Sequence, residues 1–192
     1  MKSKINKNKL QINVTKHGMI SKLYFDAVLN GIIKLIDVKN KVKVLDFGCG
    51  YGYLKEKIKR GKKIEVINFD IIKELTEIDD WKKVNFDFLV STHVFGYFKK
   101  KKLNKFLLYL KKNYPKIKVI LTISKQGWFN KLGALILNEP KAYTNYNLSP
   151  KEEIFIFSKH MRIIKKKIYC FLVIFIYLNL YKSNKNENFN IR

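Results

Sequence analysis

The residues with the most chemistry in their spacing lie in one short stretch, KVLDFGCGYGYL, from Lys43 to Leu54. Asp46 closes an apolar run, and Gly48, Gly50 and Gly52 follow at alternate positions. Glycine has no Cβ, so a turn built from it lets a ligand come close to the backbone and its N–H groups. A phosphate-binding loop would need Lys and then Ser or Thr after its last glycine; Tyr53 and Leu54 stand there instead. A dinucleotide site spaces its glycines G-x-G-x-x-G, one residue wider than here. An acid at the mouth of the turn would also repel a pyrophosphate. Asp46 therefore points to a ligand that carries positive charge.

S-adenosylmethionine, with its sulfonium and ammonium groups, is such a ligand. At VLDFGCGYG the chain resembles the class I S-adenosylmethionine-dependent methyltransferases, whose first motif is an apolar strand followed by D/E-x-G-x-G-x-G; every marked position matches. The resemblance extends roughly from Ser21 to Tyr181. It implies a cofactor site made of Asp46, Gly48, Cys49, Gly50 and Gly52, joined by an acid at the end of the next strand that binds both ribose hydroxyls. Asp70, 22 residues past Gly48, fits that role, with Ile71 beside it; a carboxylate can accept two hydroxyl hydrogen bonds at once. It further implies an adenine contact from Asp80 or Asp79, with Trp81 as a stacking neighbour, and places Ser91, Thr92 and His93 beside the methionine moiety and the reacting methyl. His93 is the candidate catalytic base for an acceptor that is a poor nucleophile.

These residues need a frame that brings strand ends to one edge. KVKVLDF, KIEVINFD, FDFLVST (Phe86–Thr92) and IKVILTIS read as strands. A helical stripe over Ser21–Asp37 with Ser21 as its cap, a short helix at YLKEKIKR stopping at Gly61, and an amphipathic helix at KKKKLNKFLLYLKKNY alternate with them. That alternation predicts an α/β, Rossmann-like doubly wound sheet, mostly parallel, with helices on both faces. Ser149, Pro150 and Glu152 spell a capping box at the start of another helix. The two strands after it, around MRIIKKKIYC and VIFIYLNLYK, are too close for a crossover and must form an antiparallel C-terminal hairpin. The expected organisation is a basic N-terminal arm (1–20), one methyltransferase domain (21–182) and a frayed tail (183–192). Residues 127–148 read as a substrate-side lid insertion, and Trp128, Tyr143 and Tyr146 in it are candidate substrate contacts.

Composition narrows the partners. The formal charge is +25, but of 40 basic residues only Arg60, Arg162 and Arg192 are arginine. A lysine bias with abundant Asn and Ile is what an AT-rich genome produces, whereas nucleic-acid readers favour the arginine fork. The turn after FDFLVST has no N/D-P-P-Y motif, and neither Cys49 nor Cys170 stands at that edge to act as a nucleophile. Base methylation is disfavoured on both counts. The expected acceptor is a small molecule, a sugar or a lipid-linked intermediate. The alternatives are an RNA methyltransferase using the lysine-rich surface, and a cofactor-binding partner subunit without chemistry of its own. Two cysteines make neither a disulfide framework nor a zinc site, so no metal is expected. The longest apolar run, Ile168–Tyr181, is shorter than the roughly 20 residues a spanning helix needs, and no signal peptide opens the chain, so a cytoplasmic protein is expected.

Overall fold

In the computed structural model of the protein the described residues are 18–36, 40–58, 63–124, 146–169 and 173–180. The N-terminal arm up to residue 17, Gly61, most of the expected lid with Trp128 and Tyr143, Cys170 and the C-terminal tail lie outside them.

Six strands form one sheet. They are β1 (Val42–Phe47), β2 (Ile64–Phe69), β3 (Phe88–Thr92), β4 (Lys118–Ser124), β5 (Met161–Tyr169) and β6 (Val173–Leu180), in the order β2-β1-β3-β4-β6-β5. The first four run parallel, and β6 lies antiparallel to both β4 and β5. All six expected strands are present, and the hairpin is antiparallel as its short connection demands.

Side-chain alternation along the strands feeds two cores. Leu45, Leu89, Leu121 and Ile176 face one side, with Leu103, Phe106, Leu107 and Leu110 of α3 (Lys100–Asn113) and Ile156 and Phe157 of α4 (Pro150–His160). Val44, Val90, Ile120 and Phe175 face the other, with Val28 and Ile32 of α1 (Gly18–Leu35) and Leu54 of α2 (Tyr53–Lys57). Val44 and Leu45, neighbours in the chain, thus belong to opposite cores. A strand buried on both faces must be apolar throughout, which makes the acid at position 46 conspicuous.

Three boundaries differ from expectation. Helix α2 ends at Lys57 and does not run on towards Gly61, because Ile58 already leaves the helical conformation, with φ −83° and ψ 83°. Helix α1 begins at Gly18, so Ser21 lies inside it and is no cap; Met19 and Ile20 carry helical propensity that lets the helix run back. Strand β3 begins at Phe88, because Phe86 turns away to stack on Tyr114 at 4.5 Å between ring centroids. The box before α4 forms as the sequence spells it: Ser149 Oγ accepts from Glu152 N at 3.2 Å and Ser149 N donates to Glu152 Oε2 at 2.8 Å. Ser149→Ala removes one half of this exchange and should lower stability by about 1 kcal/mol in urea unfolding, with the slope of the transition unchanged.

Candidate functional site

The chain runs from β1 to β2 on one side of the sheet and from β3 to β4 on the other. The direction therefore reverses between β1 and β3, and the carboxyl ends of those strands flank a crevice, the usual ligand position in such sheets. The glycine turn lies there. Gly48, Gly50 and Gly52 have φ of 78°, 54° and 75°, the left-handed region that side chains avoid. Two of them are also hemmed in: a Cβ on Gly48 would lie 2.3 Å from Val94 Cγ2, and one on Gly52 2.7 Å from Asn68 Nδ2. A Cβ on Gly50 would meet nothing within 4 Å. Gly48 and Gly52 thus let the turn nestle against the β3 turn and β2, while Gly50 faces open space.

The turn's amides are spent internally. Gly48 N and Cys49 N both donate to Phe69 O, at 2.8 and 3.1 Å, Gly50 N donates to Asp70 Oδ2 at 3.0 Å, and Gly52 N to Cys49 O at 3.0 Å. This differs from the expectation that the turn would offer its N–H groups to a ligand. The turn supplies shape and close approach, and it lacks the array of unused donors that a phosphate cradle requires.

Charge is supplied by two carboxylates. Asp46 is 5% exposed, and among the described residues no hydrogen bond or ion pair reaches its side chain. Burial first, and the nearby Asp70 second, push its carboxyl up to about 7. Asp70 is half-buried at the end of β2 and accepts from Gly50 N and, through Oδ1, from Ile72 N at 3.0 Å. A carboxylate has about four acceptor positions, so two remain for hydroxyl groups. Ile71, next along, is 78% exposed. Cys49 donates its thiol to Leu75 O at 3.5 Å, and burial together with the field of Asp46 pushes that thiol up to about 12, so it stays protonated and unreactive.

Residues that the sequence reading passed over brace this arrangement. Glu77 Oε2 accepts from Asn68 N, Glu77 N donates to Asn68 O, and Lys55 Nζ pairs with Glu77 at 2.6 Å. The exposed edge of β2 is thereby covered beside the site, and α2 is tied to it. No local pattern marks Glu77 for this task, since its partners are 9 and 22 residues away.

Other expected positions take different parts. Ser91 is buried, and its hydroxyl donates to Phe47 O at 3.0 Å, tying β3 to the end of β1. Asp80 accepts from Lys82 N at 3.1 Å and caps the 3₁₀ turn Trp81–Lys83. Trp81 is buried, with Phe47, Phe106 and Tyr109 around it at 5.2–5.7 Å between centroids, so it cannot stack on an adenine. His93 has a φ of 58° at the end of β3, donates its N–H to Thr122 O at 3.0 Å and has a buried Nε2; burial holds its imidazole down at about 4, hence neutral. Tyr146 reaches the same turn: its hydroxyl lies 3.5 Å from His93 O and its ring 4.5 Å from that of Tyr97. Of the expected site residues, the structure gathers Asp46, the three glycines, Cys49, Asp70 and Ile71 on one side of the crevice and His93 and Tyr146 on the other.

No protein-family model matches the sequence, and neither does any curated protein. Solved structures share its architecture. The PH0226 protein from Pyrococcus horikoshii OT3 aligns with a TM-score of 0.60 at 15% identity, over 89% of this chain and 94% of that one. The magnesium protoporphyrin IX methyltransferase from Synechocystis PCC 6803, with bound SAM, gives 0.56 at 14% identity over 88% and 85%. A SAM-dependent methyltransferase from Aquifex aeolicus gives 0.54 at 18% identity over 86% and 95%. The fold is that of the class I S-adenosylmethionine-dependent methyltransferases. Within that methyltransferase fold, the glycine turn occupies the carboxyl end of the first strand, and Asp70 the carboxyl end of the second.

Two predictions follow from the turn. Gly48→Ala combines left-handed strain with a clash against the Val94 side chain and should cost about 2–4 kcal/mol in denaturant unfolding. Gly50→Ala carries the strain alone, about 1–2 kcal/mol, but fills the open space and should weaken binding of S-adenosylhomocysteine far more than it weakens the fold. The second concerns pH. A cationic ligand binds the ionised form of Asp46, and the proton competes with it. Affinity for S-adenosylmethionine, measured by calorimetry, should therefore fall as pH drops through about 7, approaching about tenfold per unit on the acid side. Asp46→Asn should flatten that profile.

Proposed function

We propose that the protein transfers the methyl group of S-adenosylmethionine to a small-molecule, sugar or lipid-linked acceptor. The observation that carries the reading is Asp46: a buried carboxylate without a partner among the described residues, next to a glycine with open space before it. A cation at that position would relieve the burial, and the ligand's ammonium and sulfonium are of the right sign.

When bound, S-adenosylmethionine supplies a methyl on a sulfonium, already a good leaving group. The protein's residues then have three tasks. Asp46 and the turn hold the cationic end. Asp70 accepts from the ribose hydroxyls with the lone pairs that Gly50 N and Ile72 N leave over, and the exposed Ile71 offers an apolar face to the base. His93 and Tyr146 line the acceptor side. Alignment of donor and acceptor supplies most of the acceleration. His93 is the group nearest to take the acceptor's proton, but burial holds its basicity down, so it suits an amine, which attacks without prior deprotonation, better than the poorly nucleophilic hydroxyl for which the sequence marked it. Support for a small acceptor comes from the absence of base-methylating motifs and from the porphyrin substrate named for one protein of the same fold.

The test is incubation with methyl-labelled S-adenosylmethionine and a cell extract separated into small-molecule, lipid and RNA fractions. Label should enter the small-molecule or lipid fraction, and Asp46→Ala and Asp70→Ala should abolish it. Label confined to RNA would replace the acceptor class. Binding without transfer to any fraction would make the protein a cofactor-holding subunit, and no binding at all would remove the reading.

A further inference from the structure

A second cleft lies at the opposite edge of the sheet, where β1, β3 and β4 begin. Its volume is about 470 Å³, within the range of about 300–1,000 Å³ typical of small-molecule sites. Its floor is apolar and rigid. Phe88 and Ile117 are buried, and Phe86 stacks on Tyr114, whose hydroxyl lies 3.0 Å from both Lys82 O and Val84 O and shares its one proton between them. Its rim is cationic: Lys41, Lys116 and Lys118 stand against a single acid, Asp87.

That acid is already occupied. Asp87 Oδ2 accepts from Lys43 N at 2.8 Å, Asp87 N donates to Lys43 O at 2.8 Å, and Lys118 N donates to Asp87 O at 3.1 Å, so the residue stitches the three strand starts together. The lysines are less spoken for. Lys41 lies 3.8 Å from Glu65, a loose and exposed pair. Among the described residues, Lys116 and Lys118 pair with no carboxylate, and Lys118 Nζ is poised 5.1 Å above the Phe88 ring at the cleft floor. An ammonium held over an aromatic floor is partly shielded from water and interacts more strongly with an incoming anion than one on an open helix face.

We propose that this cleft binds a phosphate-bearing small molecule, its phosphate on Lys116 and Lys118 and its organic body on the apolar floor. The site is separate from the glycine turn, at the other end of the same strands, and does not depend on the reading of that turn.

The probes are ADP and inorganic pyrophosphate, titrated into the full chain saturated with S-adenosylhomocysteine and followed by amide chemical shifts and calorimetry. Shifts should concentrate at Lys41, Asp87, Lys116 and Lys118 and spare Gly48–Asp70. Lys116→Ala/Lys118→Ala should weaken binding about tenfold, the size expected for losing two charge-assisted contacts. Lys101→Ala/Lys105→Ala, which removes the same charge from exposed positions of α3, should change it by less than about twofold. ADP binding more tightly than pyrophosphate marks a nucleoside phosphate as the ligand; equal binding marks the phosphate group alone. The proposal is overturned if neither probe binds at millimolar concentration, if both lysine pairs lose the same affinity, or if the shifts fall at the glycine turn. The last outcome also covers failure of S-adenosylhomocysteine to occupy that turn, which its own titration reports separately.

Discussion

The burial of one carboxylate organises the carboxyl edge of this protein's sheet. Asp46 ends the central strand, 5% exposed, with a second acid close by and no counter-charge among the described residues. Moving its carboxyl from the ordinary value of 3.8 to about 7 means that the fold disfavours the ionised form by roughly 4 kcal/mol. A loose strand end would swing such a group into water. Here it cannot move, because β1 is held by parallel partners on both sides and the turn that follows is pinned to Phe69 O and Asp70. The unfavourable placement is maintained by the sheet, and a cationic ligand is what would relieve it.

The glycines acquire their meaning from the same geometry. Had the turn kept its amides unused, it would suit an anion; with Gly48, Cys49, Gly50 and Gly52 all donating inward, it offers a concave surface and a negative charge. Two glycines serve packing against Val94 and Asn68, and one keeps the approach open. Around them the aromatic cluster of Phe47, Phe95, Phe106 and Trp81 gives the crevice a stiff base, with Phe47 and Phe95 stacked at 5.6 Å. The lysine surplus, by contrast, is spread over the surface, and it gathers over an aromatic floor at the far end of the strands.

Much of the fold was legible because its signals are local. Apolar strands punctuated by glycine and proline, the amphipathic stripe of α3 and the capping box at Ser149 each depend on residues within a few positions of one another, and each formed. Of the candidate site, the glycine motif and Asp70 were legible for the same reason, since a strand end can be read from its own composition. The start of α1 was misread because a serine resembles a cap wherever it falls, and only the surrounding chain decides whether a helix runs past it. Trp81 was misread because its partners lie elsewhere: a tryptophan near an expected ligand looks the same in sequence whether it faces the crevice or the core.

The sequence by itself determined the strand–helix alternation, the antiparallel ending and a glycine turn with an acid at its mouth, all consequences of local conformational preference and side-chain period. The tertiary structure decided where the turn's amides point, how deeply Asp46 is buried, that Ser91 locks two strand ends, and that Glu77 closes the edge of β2. Each of these depends on groups brought together from separate elements, and hydrogen bonding and desolvation act through space, not along the chain.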